Sequence, residues 1–583
     1  MAIIKVGDKA TAPSVRPSLL LDFANSKSLD PRIKYSRSST ATYWDGKTTV
    51  KAEENILSNS SDLTAWADPN LVTSSVTAPD GTTTALKMVA DTNNGIHYIY
   101  LAFSLKPSSE HTISFYAKAD GYNYVYSRLG IAGDYGASFN LSTGTVNNTT
   151  GSTATITSVG NGWYRCSYTA TFSGSSIADL YLFVSNTGTW AANTNPIFIG
   201  DNVSGIQVWG PQVEQRSSAT AYTPTTTSPI TRYQPVLQTA SVNQPRFDHN
   251  PVTGESKGFL TEQSRVNYFE YSNDLAWWVE GGINERANYG IAPDGTQTAW
   301  QITYTGNTAD RVYRYINMYG LSIDNTVFSI YVKNSNMGSG NTFNLTWEYF
   351  DSQQINYNFD TGVLTTGSRW KDGRVEDVGN GWFRISAVIT SVFPGYLEIS
   401  NGVGTCLIWG WQLEAGTFPT SYIPTNGSST TRSSDICYSV DSAFTPDGTF
   451  TAYTEASLDY DNTVANINAT IFSFGPDRIQ VRYDDQTGSE LLVFNPSFVA
   501  SLNASTPTIN SGKTAVRIGQ NDFKHSFSGS TPNSDAAGLF DVPETMYIGS
   551  LSNSSEFLNG HIQKIAIYPA ALDDAELQAL TEE

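Results

Sequence analysis

A chain of 583 residues is too long for one compact core and, at roughly 100–200 residues per domain, predicts about three to five domains. Charged residues make up 15% of the chain and aromatic residues 12%, and many Gly, Ser, Thr and Asn residues complete a composition typical of strands joined by polar turns. The net charge of −20 repels phosphate backbones and anionic lipid headgroups, so we expect neither nucleic acid binding nor membrane insertion.

The start of the chain carries no recognisable export signal. Residues 1–9 contain a short apolar stretch without the apolar region and cleavage site of a signal peptide, and no window reaches 18 apolar residues. The three cysteines, Cys166, Cys406 and Cys437, are too scattered for a disulfide framework or a zinc site. We therefore expect a chain that is made in the cytoplasm and has reduced cysteines.

Two separated tracts carry a family resemblance. They are DFANSKSLDPRIKYSRSSTATY at 22–43 and PRFDHNPVTGESKG at 245–258, and the second leads into ExxRxN at 262–267 and YSxDL at 271–275. Together they resemble the opening segment of bacteriophage head-spike and tail-fibre proteins. In that family the two tracts lie close together, whereas here about 200 residues separate them. We expect residues 19–50 and 227–264 to pack as one bridging unit.

The chain contains an internal repeat. VGNGWYR at 159–165 returns as VGNGWFR at 378–384, an offset of 219, and VWGPQVE at 208–214 returns as IWGWQLE at 408–414, an offset of 200. Because the order and spacing of shorter matches also hold, the chain has two copies of one module that differ by loop insertions. We place repeat 1 at 52–226 and repeat 2 at 265–429.

Each copy consists of short runs rich in Val, Ile, Tyr and Thr, broken by Asn-Gly, Asp-Gly and Thr-Gly turns. This pattern predicts a β-sandwich of the jelly-roll type, and the copies resemble carbohydrate-binding modules. Aromatic residues at 115–116, 163–164 and 209 are expected to fill the space between the two sheets. We interpret the following tryptophans as packing residues: Trp163, Trp209, Trp382 and Trp409.

A pair of tyrosines recurs in both copies and is the main candidate for glycan binding. Tyr98 and Tyr100 match Tyr313 and Tyr315 at an offset of 215, and the alternation of a strand places each pair on one face. If that face is exposed, it can stack on a pyranose ring. The alternative is that the tyrosines point into the sandwich.

Tryptophans near the start of each copy are further candidates for glycan binding. Trp66 lies in repeat 1, and the adjacent Trp277 and Trp278 lie in repeat 2. Neighbouring residues of a strand point to opposite faces, so at least one of this pair must lie outside the core. We take Trp66 and Trp278 as the candidates.

Residues 430–583 form a third unit. The run at 558–568 alternates as a strand does, and LDDAEL at 572–577 predicts a short helix capped by Asp573 or Asp574. This ending resembles laminin-G and concanavalin-like lectin domains and implies a third sandwich. The expected fold is therefore all-β and multi-domain, with an N-terminal attachment arm and phage-type segment at 1–51, a bridging segment at 227–264 and three sandwiches.

The sequence lacks the usual motifs of enzymes. None of the five histidines has zinc-binding spacing, and neither a nucleophile elbow nor a phosphate-binding loop occurs. The nearest string to the Glu-x-Asp-x-Glu of glucanases is EASLDYD at 455–461, which would place residues 455, 459 and 461 on one strand face but has Ser457 in the middle. Asp459, Asp461 and Asn462 are candidate ligands of a structural calcium ion, with a solvated acidic turn as the alternative, and no other cofactor is expected.

The resemblances imply a function. We expect a non-enzymatic structural protein on the surface of a bacteriophage virion, a tail fibre or spike that displays its sandwiches to a host-cell glycan. A capsid decoration or head-fibre protein is the alternative within the same class, and a polysaccharide depolymerase is the alternative from another class. Residues 1–20 would dock on other virion proteins, and the threefold symmetry common among phage fibres implies a homotrimer.

Overall fold

The computed structural model describes residues 15–582 apart from short gaps. Within this part of the chain the fold is almost entirely β, with 44 strands and two α-helices, which confirms the predicted all-β, multi-domain class. The gaps are at positions 69, 131–133, 173–175, 189–193, 282–283, 306–309, 317–320, 338–341, 348–353, 391–394, 401–402, 442–447, 462–464, 466, 476–478, 495–497, 504–510, 542–543 and 553–554.

Repeat 1 is a sandwich of two antiparallel sheets whose buried faces meet in one core, including Ile99 of the first sheet and Phe115 of the second. The five-stranded front sheet has the spatial order Thr145–Thr150, Asp134–Asn140, Tyr124–Gly130, Ile177–Ser185, Tyr98–Ser104. The six-stranded back sheet has the order Thr153–Gly160, Trp163–Phe172, Ser109–Asp120, Gly205–Glu214, Ala85–Ala90, Leu71–Val76.

Repeat 2 is built in the same way, with two six-stranded sheets around a second core. Its front sheet has the order Val279–Gly281, Arg311–Ile316, Gly395–Ser400, Thr342–Trp347, Gln354–Asn358, Leu364–Thr366. Its back sheet has the order Asn284–Gly290, Ala299–Thr305, Val403–Ala415, Thr326–Met337, Trp382–Ile389, Trp370–Gly379.

The third sandwich, here called the C-terminal sandwich, draws strands from three parts of the chain. Its eight-stranded sheet has the order Arg246–His249, Ser256–Thr261, Gly560–Tyr568, Phe450–Leu458, Ser511–Gly519, Asp522–Phe527, Asn533–Asp535, and Leu19–Asp22 also pairs with Gly560–Tyr568. Its seven-stranded sheet has the order Lys34–Ser36, Ile436–Ser439, Met546–Ile548, Ala469–Phe474, Ile479–Asp484, Gly488–Phe494, Phe498–Asn503. A boundary at residue 430 therefore leaves out strands that complete both sheets.

Three two-stranded pairs and four short helical segments complete the described elements. Ala41–Asn55 pairs with Ile230–Ala240, and this pair is here called the bridging unit. The other strands of the predicted bridging segments, at 19–22, 34–36, 246–249 and 256–261, instead join the C-terminal sandwich. The other pairs are Asn94–Gly95 with Phe198–Ile199 and Arg265–Asn267 with Thr430–Arg432. The α-helices are Phe23–Ser26 and Asp574–Thr581, and the 3₁₀ turns are Leu63–Ala65 and Leu275–Trp277.

The two α-helices span four and eight residues, and no helix among the described residues has the length and apolar character needed to cross a membrane. The second helix confirms the predicted cap. The Asp573 side chain accepts from the Glu576 backbone N–H, and the Glu576 carboxylate accepts from the Asp573 N–H. This reciprocal pairing satisfies two backbone donors that the first turn leaves free.

The predicted attachment arm at residues 1–20 is too long. The Ser18 N–H donates to the Ile567 carbonyl at 2.8 Å, and Leu19 is buried as a member of the eight-stranded sheet. Residues 18–20 therefore belong to the C-terminal sandwich, because this edge strand needs its partner to satisfy its backbone groups. Residues 1–14 lie outside the described part of the chain.

The repeated VGNGW tract is a hairpin turn. Asn161 and Gly162 in repeat 1, and Asn380 and Gly381 in repeat 2, all have positive φ between 51° and 79°. A two-residue turn with positive φ at both positions strongly prefers Asn followed by Gly. The tract recurs because both back sheets turn here, before Trp163 and before Trp382.

The repeated tryptophans are buried as predicted, but they do not lie between the two sheets. Trp163 and Trp209 pack with Tyr116 in a separate cluster on the outer side of the repeat 1 back sheet. Trp382 and Trp409 form the equivalent cluster in repeat 2, together with Trp44 of the bridging unit. Along the 163–172 strand, Cys166 points into the main core and Trp163 points to the opposite face, because residues an odd number apart alternate.

The family-type tracts meet in a buried ion cluster. Asp435 accepts from Arg37 at 3.0 Å and from Arg246 at 2.5 Å, and Arg246 also pairs with Glu262 at 2.7 Å. Burial would raise the pKa of Glu262, but the charges of Arg432 and Arg246 outweigh it and lower the pKa to about 2. The tracts at 22–43 and 245–258 therefore bind the C-terminal sandwich to the bridging unit.

The three cysteines are buried in three different cores and form no disulfide. Burial raises the pKa of all three thiols, to about 12 for Cys406. Neutral buried thiols behave as small apolar side chains.

Candidate functional site

The outer face of the repeat 1 front sheet carries the predicted tyrosines. Ile99 lies in the core between the sheets, so its neighbours Tyr98 and Tyr100 point to the opposite, outer face and are half-buried. The structure thus selects the outward orientation over the alternative of core packing. The strand alternation that the sequence predicted explains this placement.

A third tyrosine joins the pair from the neighbouring strand. Tyr181 lies directly opposite Tyr100 in the sheet register. Its ring centroid is 5.4 Å from that of Tyr100 and 5.4 Å from that of Tyr98, and the Tyr100 and Tyr181 rings are stacked. We call Tyr98, Tyr100 and Tyr181 the first tyrosine platform.

Charged groups border the first platform. The Arg128 guanidinium lies 5.3 Å from the centroid of the Tyr181 ring and 5.8 Å from that of Phe183. The Tyr181 hydroxyl donates to Asp179 at 3.3 Å. Burial and the charge of Asp179 raise the pKa of Tyr181, which keeps its hydroxyl protonated. The platform therefore combines ring faces with hydrogen-bonding groups at its edge.

Repeat 2 carries the same arrangement on its front sheet. Val312 lies in the core, so Tyr313 and Tyr315 point outward, and Tyr396 lies opposite Tyr315. The Tyr396 centroid is 5.6 Å from that of Tyr313 and 5.1 Å from that of Tyr315, which is 47% exposed. We call Tyr313, Tyr315 and Tyr396 the second tyrosine platform.

The second platform is also bordered by charges. The Arg311 guanidinium lies 5.2 Å from the centroid of the Tyr313 ring and 3.9 Å from the Glu398 carboxylate. Glu398 occupies the register position opposite Tyr313, where repeat 1 has Phe183 opposite Tyr98. The two platforms thus share their tyrosines and differ in the residue beside them.

The sequence contained a signal for the third tyrosine. Tyr181 and Tyr396 are separated by 215 positions, the same offset that relates Tyr98 to Tyr313. The prediction missed them because it compared residues within one strand, and the platform is completed across two strands that are about 80 residues apart in sequence.

The two tryptophan candidates do not belong to these surfaces. Trp66 is 3% exposed, and its Nε1–H donates to the Asn59 carbonyl. Trp278 is 6% exposed and packs against Phe269 and Trp411. Both side chains are therefore unavailable to a ligand.

The member of the tryptophan pair that lies outside the core is Trp277. It is 50% exposed and stacks on Tyr271 with a centroid distance of 4.5 Å. One of the two tryptophans therefore lies outside the core, as predicted, but it is Trp277, and the prediction of Trp278 was wrong.

The acidic string at 455–461 does not form a row of carboxylates. The strand ends at Leu458, so Asp459 and Asp461 follow it and do not share a strand face with Glu455. The Asp459 carboxylate pairs with Lys257 at 3.3 Å and with His561 at 3.3 Å. These two cations occupy the carboxylate that the calcium interpretation required, and Asn462 lies outside the described residues. No group of three or more His, Cys, Asp or Glu suited to a metal ion occurs among the described residues.

No protein-family model and no curated protein matches the chain. Among solved structures, the N-terminal tandem of two CBM22 domains from Paenibacillus barcinonensis Xyn10C matches at 10% identity and a TM-score of 0.20, covering 63% of this chain and 98% of its own. A candidate carbohydrate-binding protein from Bacteroides ovatus matches at 12% identity and a TM-score of 0.19, covering 47% and 81%. The ANX1 ectodomain from Arabidopsis thaliana matches at 9% identity and a TM-score of 0.16, covering 65% and 97%.

The fold and the site define the class of this protein as a multi-domain β-sandwich protein with a duplicated aromatic platform.

Proposed function

We propose that the two tyrosine platforms bind glycan and that the protein is an adhesin without catalytic activity. One observation carries this proposal: the same three tyrosines recur at one offset, outside the core, on the front sheet of both repeats. The six rings are also partly exposed, unlike the buried tryptophans on the back sheets.

The chemistry of the platforms suits a sugar ring. A pyranose presents a face of C–H groups that stacks on aromatic rings, and its hydroxyl groups bond to polar groups around them. Arg128 and Asp179 border the first platform, and Arg311 and Glu398 border the second. Each platform therefore offers a stacking surface with donors and acceptors at its rim.

Two platforms on one chain favour extended or dense glycans. When one platform is bound, the second site meets its ligand at a high effective concentration, which raises the overall affinity without any new contact. A surface polysaccharide with repeating units fits this arrangement better than a single free sugar does.

Alanine substitution of the platforms tests the proposal. The double variants Y98A/Y181A and Y313A/Y396A should each weaken binding to the best ligand on a glycan array by about 1–3 kcal/mol per lost stacking contact. The melting temperature should change little, since these side chains lie outside the main cores. Isothermal titration calorimetry and thermal denaturation measure the two effects.

Tyr233 provides a matched control, because it is a tyrosine in the bridging unit that is 63% exposed. Y233A should leave glycan binding unchanged. Unchanged binding in both platform variants would contradict the proposal, and a large loss of stability would assign the tyrosines to packing instead.

We place this adhesin on a bacteriophage virion as a tail fibre or spike. The resemblance of the tracts at 22–43 and 245–258 supports this assignment, and the N-terminal segment is the proposed contact with other virion proteins. A homotrimer is part of the same proposal. Immunogold labelling of virions with an antibody against the chain distinguishes a fibre or spike on the tail from a capsid decoration or head fibre, and light scattering that returned a monomer would contradict the trimer.

A reducing-sugar assay on surface polysaccharide distinguishes the adhesin from a depolymerase. We expect no release of reducing ends. Release by the purified protein would overturn the non-catalytic part of the proposal and leave the platforms as candidate substrate-binding surfaces.

A further inference from the structure

A second candidate site lies on the back sheet of repeat 2, the sheet opposite the second platform, in a cavity where three parts of the molecule meet. The cavity has a volume of about 270 Å³ and lies between the outer face of the repeat 2 back sheet, the bridging unit and the C-terminal sandwich. Its walls include Trp44, Tyr331, Glu376, Arg384, Lys257 and Asp459. The walls thus combine aromatic rings with charges of both signs.

An arginine in this cavity can be compared with its counterpart in repeat 1. Arg165 and Arg384 occupy the same position of the repeated tract, and both are buried over a tyrosine ring at 5.5 Å. Both Nη2 groups donate to a serine hydroxyl and a threonine carbonyl of their own repeat. The Nη2 atoms of the two arginines therefore make equivalent hydrogen bonds in the two repeats.

The hydrogen bonds of the other guanidinium nitrogen, Nη1, differ between Arg165 and Arg384. The Arg165 Nη1 donates to the Tyr289 hydroxyl at 2.7 Å. The Arg384 Nη1 makes no hydrogen bond to any described residue, although Arg384 is only 8% exposed and lines the cavity. The Arg384 Nη1 is not among the fully buried atoms, so an acceptor in the cavity can reach it. The Arg384 Nη1 of repeat 2 is therefore available as a donor, whereas the Arg165 Nη1 of repeat 1 already donates to the Tyr289 hydroxyl.

Two charged residues of repeat 2 replace neutral ones beside this arginine. Repeat 1 has Thr155 and Thr157 where repeat 2 has Arg374 and Glu376, and Glu376 lies opposite Arg384 in the sheet register. The Arg374 Nη1 donates to the Asp459 carbonyl at 2.9 Å. Glu376, which is solvent-accessible, makes no hydrogen bond or ion pair within the part of the chain that the structure describes. The cavity thus holds an acceptor as well as a donor.

The remaining charges of the cavity are already paired. Lys257 pairs with Asp459, and His561 bonds Asp248 at 2.9 Å and lies 3.3 Å from Asp459. Asp248, Glu262 and Asp459 each have a cation partner, so the negative charge that an anionic ligand would meet beside Arg384 is that of Glu376. The volume is close to the lower end of the range for small-molecule pockets, about 300–1,000 Å³.

We propose that this cavity binds one neutral saccharide unit, with the Arg384 Nη1 donating to a hydroxyl oxygen and the Glu376 carboxylate accepting from a hydroxyl. Trp44 and Tyr331 lie in the cavity wall but are almost fully buried, so Arg384 and Glu376 carry the recognition. The ligand oxygen takes the role at Arg384 that the Tyr289 hydroxyl has at Arg165. The inference rests on the cavity alone and does not require the tyrosine platforms to function.

Ligand-detected NMR and calorimetry on the full-length protein test the proposal, with D-glucose, D-galactose and D-mannose as probes and D-glucuronate as the anionic comparison. At least one neutral hexose should bind, and D-glucuronate should bind more weakly. E376Q should reduce the hexose affinity by about tenfold, because a charge-assisted hydrogen bond is lost. E376T copies the residue of repeat 1 and should abolish binding.

Three further variants make the result specific. T157Q alters the equivalent position of repeat 1 and should leave hexose binding unchanged. R384K keeps the charge but loses Nη1 and should weaken binding, with its thermal denaturation recorded to show that the fold is intact. Y98A/Y181A/Y313A/Y396A, which removes both platforms, should retain hexose binding in the cavity and lose it when E376T is added, so failure of the platforms and failure of the cavity are distinguishable.

The proposal is overturned if no neutral hexose binds, if E376Q and E376T bind as the unmodified protein does, or if D-glucuronate binds more tightly than the hexoses do. The last result would assign the cavity to anions.

Discussion

Repeat 1 and repeat 2 have the same architecture but different neighbours. Both have a front sheet with three tyrosines and a back sheet with a buried arginine. The back sheet of repeat 1 contacts Tyr289 of repeat 2, whereas that of repeat 2 faces the bridging unit and the C-terminal sandwich. The front face is therefore the constant part of the module, and the back face differs with the segment that covers it.

The largest expected effect comes from the tryptophans after the hairpin turn. W163A and W382A should each destabilise their own repeat by about 3–5 kcal/mol, since each leaves a large buried cavity. Trp163 packs within repeat 1, but Trp382 also packs in the cluster with Trp44 and Leu237 of the bridging unit. We therefore expect W382A, and not W163A, to weaken the attachment of the bridging strands.

Differential scanning calorimetry with limited proteolysis around residues 41–55 measures this difference. Equal protection of the bridging strands in the two variants would contradict the asymmetry between the repeats.

The next largest effect is a dependence of the folding stability on pH. It arises at His561 of the C-terminal sandwich, which pairs with Asp459 of the repeat 2 cavity. Burial would lower the pKa of His561, but the charge of Asp459 and the hydrogen bond to Asp248 outweigh it and raise the pKa to about 9. Because the folded state holds this proton more tightly than the unfolded state does, the stabilisation is complete below pH about 6.5 and is lost as the pH rises towards 9. The full contribution is up to about 3 kcal/mol.

Urea denaturation at a series of pH values between these limits measures this loss. H561Q should remove most of the pH dependence in the window. His525 serves as a comparison, because burial lowers its pKa to about 4, so H525Q should leave the slope between pH 6.5 and 9 unchanged. A slope that survives in H561Q would contradict the assignment.

A smaller effect should be equal in the two repeats. The Glu214 carboxylate accepts from the Thr220 backbone N–H at 3.0 Å and from its hydroxyl, and Glu414 does the same with Thr420 at 3.1 Å. E214Q and E414Q each place an amide N–H₂ against a donor, so each should cost about 1–3 kcal/mol. Calorimetry of both variants checks the match, and a strongly unequal cost would show that the two networks are not equivalent.

The smallest effect, a loss of glycan-binding affinity, should again differ between the two repeats. Arg128 lies over two rings, and R128A should weaken glycan binding at the first platform by about 0.5–1 kcal/mol. Arg311 is more exposed and also pairs with Glu398, so R311A should cost the second platform less. Calorimetric titrations of both variants with the same glycan measure the difference, and a larger loss in R311A would reverse this ranking.

Much of the site was predictable because the repeat supplied an internal comparison. The outward pair Tyr98 and Tyr100, and its match in repeat 2, follow from strand alternation and one offset. The burial of Trp66 and Trp278 was not predictable in this way, since each follows a 3₁₀ turn whose direction depends on the core beneath it.

By itself the sequence determined the elements and the repeats of this protein. Alternating apolar residues, Asn-Gly turns and the Asp573 cap are local signals, and each acts through neighbours a few residues away. Only the tertiary structure decided which strands complete which sheet. Leu19 pairs with Ile567, and Arg37 meets Asp435 in a buried cluster. Contacts between residues hundreds of positions apart depend on how all the sheets pack together. The sequence around one partner therefore does not predict the other partner.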